Sequence, residues 1–259
     1  MKQRYVVVKR EENLCIVTVD RPPVNALNRD LMLEIESVFS DLGKEKDVRA
    51  VVLTGQGEKA FVAGADVTEV IDLGKEEGED FSAIGHKMTR AIENCPVPVI
   101  CAINGAALGG GCEIALACDI RIMAETAVIG LPEASLGLLP GAGGTQRLPK
   151  SIFPGMAKFL LFSASPLEAA EALRCGLVEK VVKREEVLGV SVGIARRIAS
   201  NGPLAIKAIK YLVRRSFELL QEAGLHVERE EFGKLCVSKD KREGITAFLE
   251  KRKAIYTGS

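Results

Sequence analysis

Residues 97–124, VPVICAINGAALGGGCEIALACDIRIMA, hold a complete structural unit. Val99–Ile103 is a short apolar run rich in β-branched residues, which reads as a buried strand. Asn104 and Gly105 supply turn chemistry, and a Gly-rich entry leads into a helix from about Gly109 to Cys118. Residues 119–124 then read as a strand again. Strand, turn, helix, strand within so short a span argues for α/β layering. The apolar character of residues 97–118 invites a membrane-span reading, but Pro98, Asn104, the glycines and Glu113 oppose it.

Working outward, residues 5–9 and 14–19 form a hairpin around Glu11, Glu12 and Asn13. Prolines 22 and 23 interrupt the chain, Asn28 can cap a helix, and Leu31, Ile35, Val38 and Leu42 recur at helical spacing over 29–42, giving a first ββα unit. Arg49–Thr54 reads as a strand ending in the loop GQGEKAFVAGAD, and 81–94 as a helix stopped by Pro96 and Pro98. Residues 137–149 are a Gly/Pro-rich loop with a short helix near 143–148, and 177–182 reads as a strand. After Asn201-Gly202-Pro203 the side chains of Ile206, Ile209, Val213, Phe217 and Leu220 share one helical face. These readings divide the chain into an α/β core, residues 1–195, and a helical C-terminal part, residues 196–259.

The 259 residues include 35 basic and 35 acidic side chains, so no electrostatic footprint for a polyanion appears. Lys207, Lys210, Arg214 and Arg215 cluster on one helix, yet Glu218 and Glu222 lie nearby, and a solvated or interface helix explains them better than nucleic-acid binding. No membrane association is expected. The seven cysteines (15, 95, 101, 112, 118, 175 and 236) contain no CxxC pair and are expected as free thiols, and the N-terminus lacks a signal-peptide pattern, so the expected location is cytoplasmic.

Cofactor motifs fail in turn. Neither GAALGGGCE nor PGAGGTQR carries the Gly-Lys-Ser/Thr of a phosphate loop, and residues 141–146 miss the last glycine of a dinucleotide fingerprint. His86 and His226 are isolated and there is no GxSxG elbow, so a metal site and a Ser-His triad both lack parts; no metal and no cofactor are expected. Charge sparsity stands out instead. Glu113 is the only charged residue between Asn94 and Cys118, where a 27% charged chain would place about seven. Glu133 is alone between Thr126 and Gln146. Carboxylates in apolar surroundings have raised pKa values and suit acid/base work near neutral pH, although each could equally cap a helix or bind an arginine. The glycines ahead of the 109–118 helix would leave backbone N–H groups near Gly110 unpaired, a place for an anion or developing oxyanion, and FVAGAD can do the same at Ala65. Such glycines also serve tight turns.

The runs KAFVAGAD (59–66), AINGAALGGGCEIALACDIRI (102–122), GLPEASLGLLPGAGGTQRLP (130–149) and AFLEKRKAIYTG (247–258) resemble the crotonase (enoyl-CoA hydratase) superfamily, in order and over essentially the whole chain. The resemblance implies an α/β, ClpP-like spiral of ββα units with a helical C-terminal trimerisation region, assembled as a homotrimer or a homohexamer of paired trimers. It implies an acyl-CoA thioester substrate, with coenzyme A part of the substrate rather than a cofactor. By motif position it places the oxyanion-hole amides at Ala65 and Gly110 and the catalytic carboxylates at Glu113 and Glu133. The backbone around Ala63, Asp66 and Val67 would lie along the CoA, with Val24, Ala26 and Leu27 of the VNAL segment in the same pocket. Keeping both glutamates favours reversible addition of water to a 2-enoyl-CoA, giving a 3-hydroxyacyl-CoA. Glu113 would be the principal water activator, with Glu133 exchanging the proton at Cα. The same enolate chemistry also serves double-bond isomerisation, branched-chain or cyclic dienoyl-CoA hydration, and hydrolysis.

Overall fold

β-Branched residues flanking Glu12 and Asn13 build the first hairpin, in which β1 (Val6–Glu11) pairs antiparallel with β2 (Leu14–Val19). The computed structural model describes residues 4–259. The Asn28 side chain accepts from the Leu31 amide at 3.0 Å and starts α1 (Arg29–Leu42), whose Leu31, Ile35, Val38, Phe39 and Leu42 are buried. Then follow β3 (Ala50–Gly55), β4 (Ala60–Ala63), the single turn α2 (Val67–Val70), α3 (Lys75–Asn94), β5 (Val99–Ile103), β6 (Ala106–Leu108), α4 (Gly110–Ala117), β7 (Ile120–Ala124) and β8 (Val128–Gly130). A 3-10 turn at Glu133–Leu136 leads to α5 (Gly144–Ser151), α6 (Pro154–Ser163), β9 (Leu167–Glu168), α7 (Ala169–Arg174), β10 (Lys180–Val182) and, after a second 3-10 turn, α8 (Val187–Ala199). The chain closes with α9 (Pro203–Arg215), α10 (Gln221–Cys236) and α11 (Lys239–Leu249).

Two mixed sheets result. The six-stranded sheet runs β1-β2-β3-β5-β7-β10 and the four-stranded sheet β4-β6-β8-β9. Each later turn of the chain gives one strand to each sheet: β3 then β4, β5 then β6, β7 then β8. Pairings within each series are parallel, such as Val51 with Val99 and Ala107 with Ile129. This is the spiral expected from the resemblance. The first unit differs, because both of its strands lie in the six-stranded sheet.

β3 and β5 are buried along their entire length, as strands covered on both faces must be. The helix α8 packs on β3, β5 and β7, burying Val187, Val192, Ala195 and Ala199. The core therefore extends through Ala199, and residue 195, where the sequence reading divides the chain, lies inside this helix. Beyond it, α9–α11 and their connections bury little and expose Phe217, Leu220, Phe232, Val237 and Phe248.

Several elements differ from the sequence expectation. β4, β6, β8 and β9 are not part of it, since strands of two to four residues (AFVA, AAL, VIG and LE) are too short to show a period. α3 begins at Lys75, not residue 81, because its first turns (KEEGED) are charged and face water. The helix opened by Pro203 ends at Arg215, so Phe217 and Leu220 lie in the connection to α10 rather than on one helical face with Ile206. The strand expected at 177–182 is only Lys180–Val182. Residues 97–118 are β5, β6 and α4, and no helix among the described residues is long and apolar enough to cross a membrane.

Candidate active site

α4 approaches the smaller sheet with no room for a side chain: a Cβ on Gly111 would overlap the Val62 carbonyl oxygen of β4. The preceding Gly109, at φ +52°, turns the chain from β6 into α4 and donates its amide to Gly130 O at 2.9 Å. A Cβ there would lie 3.4 Å from Gly64 Cα and 3.0 Å from Glu133 Oε1. Three segments distant in sequence thus converge at the start of α4.

The VNAL segment completes the convergence. Ala63 N–H donates to Val24 O (3.1 Å), Leu27 N–H to Gly64 O (2.8 Å) and Asp66 N–H to Leu27 O (2.7 Å), so residues 24–27 run beside 63–66 with Leu27 opposite Ala65. No turn, loop or cap hydrogen bond among the described residues uses the amide of Ala65 or of Gly110. Both belong to the kind of backbone group that binds an anion: Gly110 is the first residue of α4, where N–H groups have no helical acceptor.

Glu113, one turn into α4, is 2% exposed. Its Oε1 accepts from Ala142 N–H at 2.7 Å and Gly144 N–H at 2.8 Å, the latter the first residue of α5. Burial raises its pKa, opposed by these two amide bonds and by the Arg147 guanidinium. Glu133, at the start of its 3-10 turn, is pushed up to about 7, chiefly by burial; a backbone amide bond opposes the rise and the Glu113 charge adds to it. Its Oε2 is buried without a hydrogen-bond partner. One carboxylate is therefore fixed by the protein and the other is left with an unengaged oxygen. A pair of carboxyls with unequal environments is what separate acid and base roles require.

Among the expected site residues, Leu27, Ala63, Ala65, Gly110, Glu113 and Glu133 come together, with Val24 and Ala26 on the strand-like segment beside them. The side chains of Asp66 and Val67 do not join them. Asp66 caps α2 through Thr68, its Oδ2 lies 2.7 Å from Arg21 Nη2, and its pKa is lowered first by the Thr68 hydroxyl and then by Arg21. Val67 is 61% exposed on α2.

Supporting residues were missed from the sequence. Asn25, buried at φ +57°, donates from Nδ2 to Gln56 O, Ala60 O and Phe61 O and accepts from Arg21 N–H, tying VNAL to β4. Arg21 also donates to Ala26 O at 2.9 Å. Arg147 donates to Ala142 O (3.1 Å) and to Glu93 (2.8 Å), bracing the loop that holds Glu113. The available signal was PGAGGTQR, small residues leading into a helix next to a lone carboxylate elsewhere in the chain. Only the fold shows that the two meet.

Comparison with known proteins gives the family. Residues 9–259 match the family model described as Enoyl-CoA hydratase/isomerase. The chain is 44% identical over 254 residues to a short-chain-enoyl-CoA hydratase of Clostridium acetobutylicum, covering 98% of this chain and 97% of the relative. It is 44% identical over 257 residues to a crotonyl-CoA hydratase of Syntrophomonas wolfei, covering 99% of each. A crystal structure of an enoyl-CoA hydratase from Bacillus anthracis superposes with a TM-score of 0.96 at 38% identity, covering 99% of this chain and 100% of that one. Fold, motifs and full-length identity lead to one conclusion: the chain belongs to the enoyl-CoA hydratase/isomerase (crotonase) family.

Proposed function

We propose that this protein is an enoyl-CoA hydratase, adding water reversibly and with syn geometry across the double bond of a 2-enoyl-CoA to give a 3-hydroxyacyl-CoA. The observation that carries the reading is the pairing of a buried carboxyl, Glu113, with a half-buried one, Glu133, in unequal environments beside the start of α4. The amides of Ala65 and Gly110 receive the thioester oxygen and stabilise the enolate charge that develops as the β-carbon is attacked. Glu113, fixed by Ala142 and Gly144 N–H, orients and activates the water. Glu133, with its partner-free oxygen and a pKa near neutral, exchanges the proton at Cα. The backbone of Ala63, Asp66 and Val67 and the 24–27 segment take the CoA. The substrates named for the two bacterial relatives support a short acyl chain.

Two further parts belong to the same proposal. α9–α11 form an oligomerisation region, because Leu220, Val237 and Phe248 are more than four-fifths exposed in the single chain and such surfaces mark interaction sites; a homotrimer or homohexamer would bury them. Lys210 is paired with Asp119 at 2.6 Å, Arg214 with Asn94 and Arg215 with Glu218, which supports an internal rather than a nucleic-acid use of those cations. The protein acts in the cytoplasm, where the seven free thiols stay reduced.

Crotonyl-CoA hydration, followed by loss of absorbance of the conjugated thioester, tests the reading with Glu113→Gln and Glu133→Gln alongside the wild type. Rapid wild-type turnover with both variants crippled is expected. A wild type that binds CoA thioesters but does not hydrate crotonyl-CoA would redirect the assignment to isomerisation or to branched or cyclic substrates.

A further inference from the structure

The Ser82 hydroxyl of α3 donates to the Gly141 carbonyl oxygen at 2.6 Å, and the amide of the same peptide group, Ala142 N–H, donates to Glu113 Oε1 at 2.7 Å. We propose that Ser82 is a positioning residue for Glu113, acting through the Gly141–Ala142 peptide. The inference rests on the reading of Glu113 as a catalytic carboxylate. A carbonyl oxygen that accepts a hydrogen bond draws electron density from its own nitrogen, so the N–H on the opposite side becomes a better donor. The hydroxyl thereby sets both the position of the loop and the strength of the amide that holds the carboxylate.

The arrangement is specific to Ser82. A serine inside a helix commonly returns its proton to the carbonyl one turn back, whereas this one spends it on a loop 59 residues away. Thr89, further along the same helix, is within reach of both Gly85 O (3.1 Å) and Ala142 O (3.0 Å), and Ala142 O is already served by Arg147. A Cβ on Gly85 would lie 2.9 Å from Ala142 Cβ, so α3 presses on the loop directly between its two hydroxyl contacts. The loop is thus held from α3 on one side and spends its amides on Glu113 on the other.

The charged and titratable groups around Glu113 are Glu133 from the 3-10 turn, Arg147 from α5 with its partner Glu93 on α3, Cys112 on α4 itself, Arg121 from β7, which bonds the carbonyls at the far end of α4, and His86 on the exposed side of α3. β4 and β6 contribute none. Substitution at Ser82 changes none of these charges, so a shift in the titration of Glu113 reports the hydrogen-bond relay.

The test compares Ser82→Ala, Ser82→Thr and Ser82→Val in the full chain, with Glu113→Gln as reference, by crotonyl-CoA hydration across the pH range. Thr keeps the hydroxyl and Val copies its shape without it. With Ala and Val, kcat at neutral pH should fall about fivefold, the value of one hydrogen bond, with KM nearly unchanged. The acid limb of the kcat profile should move up by about half a pH unit, because a weaker amide donor leaves the carboxylate easier to protonate. Thr should restore both. An unmoved acid limb in Ser82→Ala, or equal losses in Thr and Val, would overturn the proposal. An active Glu113→Gln would instead overturn the underlying assignment of Glu113, whatever the Ser82 variants do.

Discussion

The Leu27 side chain occupies the space that a side chain on Gly110 would need: a Cβ at Gly110 would lie 2.5 Å from Leu27 Cδ1. Leu27 is 2% exposed and its backbone is bonded on both sides to the 64–66 segment, so a methyl on Gly110 forces its side chain to rotate within a packed interior. The two proposed oxyanion amides are therefore spaced by one leucine. Gly110→Ala should cost at least about tenfold in kcat while the protein remains folded, and Gly110→Pro, which deletes the N–H itself, about a hundredfold or more. In a double-mutant cycle, Leu27→Ala should recover part of the loss caused by Gly110→Ala, with a coupling of about 1 kcal/mol in stability. Chemical denaturation and crotonyl-CoA turnover of the four proteins measure it.

The raised pKa of Glu133 carries a stability consequence. Its folded value of about 7 lies above the unfolded value of 4.5, so between these pH values the folded state holds a proton that the unfolded state has released. The group's contribution is present in full below pH 4.5 and is lost as pH rises through about 7. Glu133→Gln abolishes this loss. The variant should gain on the wild type progressively over that window, by at most about 3 kcal/mol, and no further above it. Thermal melts of both proteins across the window give the comparison.

Asn25 offers a test by charge. Its Nδ2 serves three carbonyl oxygens, so Asn25→Ala strands acceptors in the interior and should cost about 2–3 kcal/mol. Asn25→Asp should cost more, since it sets a carboxylate oxygen against the same three carbonyls. Denaturation midpoints rank the two, and a reversed order would mean that the positive φ of Asn25, rather than its side-chain bonds, holds the segment.

Arg147 braces the loop carrying the Ala142 and Gly144 amides and lowers the pKa of Glu113. Arg147→Met should therefore raise the acid limb of the kcat profile and also destabilise the protein by about 1–3 kcal/mol, leaving Glu93 without its partner. Coincident changes in pH profile and melting temperature are expected.

How much of this was legible in the sequence depended on whether a signal is local. The long buried strands β3 and β5 and the capped helix α1 announce themselves by period and by Asn28. Glu113 and Glu133 stood out because each is the lone charge in an apolar stretch. The second sheet did not, since AFVA, AAL and VIG become strands only by pairing with one another across the spiral. Residues such as Asn25, Ser82 and Arg147 are common polar side chains that each have a partner 31 to 59 residues away in sequence, a distance no periodicity reaches. The use of the Asp66 side chain was likewise not legible: its carboxylate is spent on Thr68, two residues on, and on Arg21, 45 residues back.

The start of α4 draws its surroundings from residue 27, residues 64 and 65, and the 133–144 stretch, which follow β2, β4 and β8 in three different turns of the spiral. None of these parts finds its neighbours until the turns have stacked, so the site matures with the last long-range contacts and has no partial form. Its fragility follows. Opening one turn locally would scatter the amides and carboxyls while most helices and strands persist, so during gradual denaturation turnover should vanish well ahead of the circular-dichroism signal.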